Sequence, residues 1–407
     1  MMRILTFSTL YPNAAQPTHG IFVETRLRFL LDSGRAESRV LAPVPWFPSA
    51  SRLFGRYAAY AKAPRQEIRR GIAIEHPRYP VIPKLGVNLA PFSLYQSSLR
   101  AARAIQRDGY DFDLIDAHFF FPDGIAAVML GRALGKPVTI TARGTDLNLM
   151  PRHALPRRMI RWAAAEAAGL ITVAAALKEV LVDLGVPSDK VSVLRNGVDL
   201  ALFRPGDRKA DRRALGLAAP TLLSVGHLIE RKGHHLIIDA LAELPGLELL
   251  IAGSGPEEAA LKARASERGV ADRVRFLGAL PQSRLPQLYR AADALVLASS
   301  REGWANVLLE AMACGTPVVA TPVWGTPEVV NCRAAGCLSS ERSAPALAGA
   351  IRDLLSAPPD RAATRAHAET FDWQATTDGQ LRLFASILER RAPQRRHAAY
   401  PAAVSGS

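Results

Sequence analysis

Cysteine is scarce, with three in 407 residues: Cys314, Cys332 and Cys337. They form no even disulfide framework and, with no other Cys or His at ligand spacing, no zinc set; a disulfide-stapled secreted domain is excluded and a reducing compartment expected. Long hydrophobic runs are missing too. The nearest to the roughly 18 apolar residues that a spanning helix needs, Trp162 to Leu177, is broken by Glu166 and Gly169. Met1 to Leu10 has one arginine and no small-residue cleavage site before Tyr11-Pro12, so it reads as a first strand and not a leader. The Gly-x-Gly-x-x-Gly of a dinucleotide-dependent dehydrogenase does not follow it; Ser8 to Pro12 stands there instead. Gly253 and Gly255 supply two such glycines later on, but Pro256 after them is as readily a plain helix start. Asp111 and Asp113 have the spacing of an Asp-x-Asp metal motif, yet they precede a buried strand and read as a turn. Aromatics make up 7% of the chain and do not interleave with basic residues, so the net charge of +14 carries no nucleic-acid motif.

The length exceeds what one core usually organises, and two domains are the natural expectation. Short β-branched runs at Arg3 to Ser8, Ser38 to Pro43, Leu114 to His118, Pro137 to Ala142, Leu170 to Val173 and Val191 to Leu194 fit buried parallel strands. Segments with helical spacing, such as Phe22 to Leu31 and Asp123 to Leu134, separate them. After Asn196 the pattern restarts, with strands expected at Thr221 to Val225, Leu247 to Ala252, Val274 to Leu277, Ala294 to Ala298 and Pro317 to Ala320. The polar Pro/Gly stretch from Phe203 to Arg213 marks the boundary, with a hinge near Asp199 to Gly206. The expected organisation is therefore 1–199, 200–372, a helix over 373–391 packing back on the first domain, and a disordered tail over 392–407. Charge is asymmetric, roughly +10 of the +14 lying before Leu200.

The stretch from Glu302 to Thr321 carries the chemistry. A loop leaves a strand at Ala298, Asn306 can cap a helix, Gly315 can end it, and Pro317 opens the next strand. Such a strand, loop and helix start offers backbone amides and a helix dipole to a diphosphate. Glu302 would project from the loop and Glu310 from the first turn, one towards a sugar and the other towards a ribose. A lone pair of glutamates beside a helix start is ordinarily solvated. Here Arg231 and Lys232, beside Gly233 after an earlier strand, supply cations suited to a leaving diphosphate.

With these residues the chain resembles the retaining glycosyltransferases of family four from about Met2 to Arg391. The likeness rests on Glu302 and Glu310 followed by Ala311-Met312-Ala313-Cys314-Gly315-Thr316-Pro317-Val318, on Val225-Gly226 with Lys232-Gly233, and on Asn196 to Asp199 with Phe203 and Pro205. In the first half, Tyr11 to Val23 resembles the family's glycine loop, with Gly20 approaching donor phosphates or acceptor. Asp116 to Gly124 resembles the strand-end motif whose histidine, here His118, faces the donor sugar. Arg143 and Asp146 fall in the acceptor-side region, Arg143 replacing a usual histidine. His227 stands where an arginine is frequent, and Trp304-Ala305 where Phe-Gly is common; the sugar pocket is expected to be narrower there and donor specificity to lie with that pair.

The resemblance implies a GT-B fold, two Rossmann-like doubly wound α/β domains facing a central cleft. It also implies hexosyl transfer from a UDP- or GDP-sugar with retention of configuration and without a metal. Lys232, Arg231 and the amides of Asn306, Val307 and Leu308 would bear the diphosphate charge, with Gly226 beside them; Glu302, His118 and Lys232 would act on the donor sugar. Glu310 would hold the ribose, while Arg275 to Gly278, including Leu277, border the base. A glycan or polyprenyl-linked acceptor in envelope or exopolysaccharide synthesis is expected. The setting would be cytoplasmic and peripheral on the inner membrane face, through basic surfaces at Arg65 to Arg70 or Arg152 to Arg161. Two rivals stand beside this: a non-catalytic nucleotide-sugar sensor, and an inverting enzyme using His19 or Asp123 as base.

Overall fold

The computed structural model describes residues 1–51, 53, 55–81, 86 and 88–398. Each β-branched run above is a strand, since a segment apolar on both faces satisfies its backbone best inside a covered parallel sheet. The strands of the first half are β1 (Met2–Phe7), β2 (Ala36–Leu41), β3 (Val44–Pro45), β4 (Gln66–Arg69), β5 (Ile72–Glu75), β6 (Arg78–Tyr79), β7 (Leu114–His118), β8 (Val138–Ala142), β9 (Gly169–Thr172) and β10 (Val191–Val193), of which β3 to β6 were not expected from the sequence. Eight of them form one sheet in the order β10-β9-β8-β7-β1-β2-β5-β4, while β3 and β6 pair separately. The second half has β11 (Thr221–Val225), β12 (Glu248–Ala252), β13 (Val274–Gly278), β14 (Ala294–Leu297), β15 (Val318–Ala320) and β16 (Gly336–Leu338), in the order β13-β12-β11-β14-β15-β16. Its pairings are all parallel.

The chain divides into two units. One holds Met1–Val173, Lys178–Leu194 and the chain from Gln374 on; the other holds Ala174–Leu177 and Arg195–Trp373. The passage at Leu194 and Arg195 precedes the expected boundary because the second unit holds the segment beyond it. There the Trp304 indole donates to the Asn196 carbonyl (3.1 Å) and the Val198 amide to Phe371 (2.9 Å). In the first unit, Leu381 and Phe384 of the last helix join Ile4, Val23, Val40 and Leu114 in one core. That helix spans Trp373–Ala398, so residues 392–398, expected to be disordered, extend it; the expected tail over 399–407 lies outside the described residues. The second core packs Leu222, Ile251, Val296 and Val319 against Ile237 and Ile351.

Two further expectations change. Arg65 to Arg70 is no simple basic surface: β4 runs antiparallel to β5 through Arg70 and Gly71, both at positive φ (51° and 80°), as a type I′ hairpin turn requires. Within it Arg69 Nε donates to Glu24 (2.5 Å), which absorbs its charge. Asp111 accepts from Lys136 (2.7 Å) and Asp113 from the Arg3 amide (2.9 Å), so both serve the fold around the strand that follows. No helix among the described residues is long and apolar enough to cross a membrane.

Candidate functional site

In the second unit β11 lies between β12 and β14. Chain connections leave it in opposite directions, which opens a crevice beyond the strand carboxyl ends. From β11 the chain passes Gly226 and a short turn, Glu230–Lys232, to Gly233 at φ 72°. A β-carbon on Gly233 would sit 2.0 Å from the Ala298 carbonyl, so glycine is required for this turn to lie against the loop leaving β14. The approach joins residues 70 positions apart: Lys232 Nζ donates to Glu302 Oε1 at 2.6 Å. Ser299 Oγ donates to the same oxygen at 2.6 Å, and Arg231 Nη1 stands 3.8 Å from Oε2 while donating to the Arg301 carbonyl at 2.8 Å. Burial pushes the Glu302 carboxyl up, but Lys232, Ser299 and Arg231 outweigh it and hold it below the ordinary glutamate range. The Glu302 carboxyl thus stays ionised at neutral pH.

The helix Asn306–Ala313 begins beside this pair. Its N-cap is Ala305, not Asn306; the Asn306 side chain instead accepts from Asn196 Nδ2 (3.2 Å). Of the three amides expected to face phosphate, Asn306 and Leu308 donate to the carbonyls of Trp304 and Ala305. Among the described residues the Val307 amide has no such acceptor. Glu310 Oε2 accepts from the buried Tyr289 hydroxyl at 2.8 Å, and burial pushes its carboxyl up against that bond. Leu277 lies at the carboxyl end of β13, on the crevice side. Arg275 does not join it: it sits near the other end of the strand, exposed, and donates to Leu215 (2.9 Å).

Trp304 is buried, with Phe371 at 5.9 Å and the Asn196 carbonyl as its acceptor. Its indole anchors the loop to the start of the unit, against the expectation that it shapes the sugar pocket. Glu328 is a further residue that was not singled out from the sequence. It accepts from the amides of Ala175 and Ala176 (2.7 and 3.3 Å) and from Arg195 (2.5 Å), fastening a helix start. Those partners stand 133 to 153 positions earlier in the chain, so no local spacing marks Glu328 and only the fold reveals it.

In the first unit β1 lies between β2 and β7, a second point where strand order reverses. His118 ends β7 and Arg143 follows β8, neighbouring strands paired His118 to Thr141. Arg143 Nη2 donates to His118 Nδ1 at 2.5 Å. Because a guanidinium only donates, the His118 proton resides on Nε2, 3.2 Å from Asp116 Oδ2. Burial is the largest influence on His118 and, with Arg143, pushes it down to about 4 against the pull of Asp116. Asp116 also accepts from Thr139 (2.9 Å) and Gln380 (2.8 Å), and Gln380 accepts from the buried Arg26 (3.0 Å). Both His118 nitrogens are therefore engaged and the ring is nearly buried, where a side chain open to a sugar was expected. Asp146 accepts from the amides of Phe120 (2.6 Å), Arg143 (3.1 Å) and Gly144 (2.6 Å), shaping the loop that carries Arg143. A β-carbon on Gly20 would lie 2.2 Å from the Leu10 carbonyl, so its own chain accounts for the glycine. Asp123 is fully buried and bound by the Thr9 amide (2.6 Å) and hydroxyl, which removes it from the role of an open base.

Residues 35–202 match the family model described as Glycosyltransferase Family 4, and residues 207–371 match Glycosyl transferases group 1. D-inositol 3-phosphate glycosyltransferase of Segniliparus rotundus is 39% identical over 213 residues, 49% of this chain and 47% of that protein. Its counterpart in Mycobacteroides abscessus is 40% identical over 217 residues, 51% of this chain and 49% of that protein. The chain thus spans about half the length of these curated relatives. Among solved structures, sucrose-phosphate synthase of Thermosynechococcus elongatus superposes with a TM-score of 0.78 at 21% identity, covering 96% of this chain and all (100%) of that one. HepE of Anabaena, solved with UDP, gives 0.72 at 22% identity, covering 95% and 100%. These likenesses establish the GT-B fold of two Rossmann-like domains.

Proposed function

The chain belongs to the glycosyltransferases of family 4 and group 1, and from that premise we propose that it transfers a hexosyl group from a UDP- or GDP-sugar to a glycan or lipid-linked acceptor, with retention of configuration. The observation that carries this reading is the ion pair of Lys232 with Glu302, flanked by Arg231, at the carboxyl ends of β11 and β14. In the proposed reaction Lys232 and Arg231 take up the negative charge that grows on the leaving diphosphate, with the Val307 amide donating from the helix start. Glu302 turns from Lys232 to the sugar hydroxyls, and Glu310 accepts from the ribose. The leaving diphosphate shields one face of the sugar and takes the proton of the incoming hydroxyl, so the protein supplies neither nucleophile nor resident metal. His118, held neutral between Arg143 and Asp116, positions the acceptor-side loop.

The proposed setting is the inner face of the cytoplasmic membrane. Arg152, Arg157, Arg158 and Arg161 support it: all are exposed along the turn and helix Ala154–Glu166, and none forms an ion pair among the described residues.

Removing the Glu302 carboxylate separates transfer from binding. Glu302→Ala is expected to lose sugar transfer at least a hundredfold, about 2.7 kcal/mol of barrier, while UDP still binds by isothermal titration. Transfer at the parent rate would sink the proposal.

A further inference from the structure

β11 and β14 are neighbours in the second sheet, and their pairing ends where the two loops of the crevice begin. Beyond it the loops are joined by bonds of their own. The Ser300 amide donates to the Arg231 carbonyl (2.8 Å), Arg231 Nη1 to the Arg301 carbonyl (2.8 Å) and Lys232 Nζ to Glu302 (2.6 Å). The last two of these bonds are made by the cations assigned to the diphosphate. In the proposed reaction a ligand therefore competes for the same side chains that hold the loops together.

A third segment joins both loops without using either cation. Arg342 follows β16, and its guanidinium reaches back across the sheet's carboxyl rim. Nε donates to the Ala298 carbonyl at 3.0 Å, on the loop leaving β14. Nη2 donates to Glu230 at the start of the other loop's turn, to the carbonyl and to Oε1, both at 3.2 Å. The Ala298 carbonyl is also the atom against which Gly233 is packed, so Arg342 fastens the place where the two loops touch.

The backbone that carries Arg342 is fixed on both sides. Before it, the Ser339 amide donates to the Ala320 carbonyl (2.9 Å), and the Ser339 hydroxyl donates to the Glu341 carbonyl (2.9 Å). After it, Ser343 caps the helix Ala344–Ser356 by accepting from the Ala346 amide at 3.3 Å. A planar fork on a fixed backbone can hold two partners in one geometry, which a flexible ammonium cannot.

We propose that Arg342 is a positioning residue of the donor site: it keeps the Lys232 turn against the Glu302 loop while a diphosphate draws Lys232 and Arg231 from their present partners. Spacing held in this way lets both cations meet the ligand without the loops having to be ordered again. The assignment rests on the transferase reading and adds to it the residue that maintains the site's geometry.

Isothermal titration of the full chain with UDP and uridine, and with GDP and guanosine, isolates the share of binding that belongs to the diphosphate. In the parent the preferred diphosphate is expected to bind about a hundredfold more tightly than its nucleoside. Arg342→Ala should narrow that ratio about tenfold and leave the nucleoside within about twofold of the parent. Arg342→Lys should follow Arg342→Ala, since it keeps the charge but loses the fork. Arg273→Ala supplies the reference for a purely structural loss. Arg273 also donates to carbonyls of this unit, those of Leu241, Leu244 and Leu247, but at the amino end of β12. That variant should lose thermal stability and keep the parent's ratio.

A parental ratio in Arg342→Ala, or the same narrowing in Arg273→Ala, would overturn the positioning role. Full parental behaviour of Arg342→Lys would overturn it as well, leaving a charge effect alone. In each of these cases the transferase reading stands. A parent protein that binds neither diphosphate more tightly than its nucleoside would overturn that reading and this assignment together.

Discussion

Asp123 accepts hydrogen bonds from Thr9, yet burial, outweighing them, pushes its carboxyl up to about 7 from an ordinary 3.8. His118 and His234 are displaced the other way, pushed down to about 4, mainly by burial. The two classes impose opposite slopes on stability. The raised Asp123 contributes stability that is present below its unfolded value and lost as pH rises through about 7. The histidines contribute stability that is present above about 6.5 and lost as pH falls through about 4. Comparing Asp123→Asn with the parent cancels the histidines: the variant should gain on the order of 2 kcal/mol relative to the parent between pH 5 and pH 8. Denaturant unfolding at the two pH values measures this, and a constant difference would remove Asp123 from the account. Glu302 and Lys232 were readable in the sequence only in combination and through the family resemblance, because charged side chains beside a helix start are ordinarily solvated. Arg143 against His118 was not readable as a contact, since it depends on two strands being neighbours.

At the scale of elements, the loop from β11 to Lys232 depends on one backbone position. Gly233 combines φ 72° with a backbone carbonyl 2.0 Å from where a β-carbon would stand, whereas Gly34 has φ 68° and open space around it. Gly34→Ala should therefore cost about 1 kcal/mol from strain alone, and Gly233→Ala more than about 2 kcal/mol because the loop must also move. Equal losses of thermal stability in the two variants would show that the close approach to Ala298 is unimportant. The strands around these loops were legible for a simple reason: runs such as Leu249 to Ala252 and Ala294 to Leu297 are apolar on both faces. β4 was hidden because Gln66, Glu67 and Arg69 alternate with little that is apolar, as suits an edge strand exposed on one side. The cap at Ala305 was hidden for another reason: Asn306 has the right chemistry for an N-cap, but Asn196, distant in sequence, claims its side chain.

For the whole molecule, charge is the property most open to test. Roughly +10 of the net +14 precedes Leu200, and the exposed arginines from Arg152 to Arg161 concentrate part of it. Vesicles containing phosphatidylglycerol should retain the protein at low ionic strength and release it at high salt, because exposed charges interact little beyond the Debye length. Sedimentation with and without salt reads the outcome, and retention that ignores salt would exclude an electrostatic surface. The division into two α/β units was legible in the restart of the strand pattern after Asn196. The passage at Leu194 was not, because it is set by bonds that Trp304 and Phe371 make from far along the chain. The contact between Lys232 and Glu302 has one more consequence. An empty crevice with bare cations would collect whatever small anions the surrounding water contains. Here the cation already has an occupant tethered by the fold, so sulfate or free phosphate must evict a carboxylate at 2.6 Å and has no sugar to offer it in exchange. On the proposed function, a ligand carrying both diphosphate and hydroxyls would satisfy the two partners at once, and the resting ion pair would screen ligands before any reaction begins.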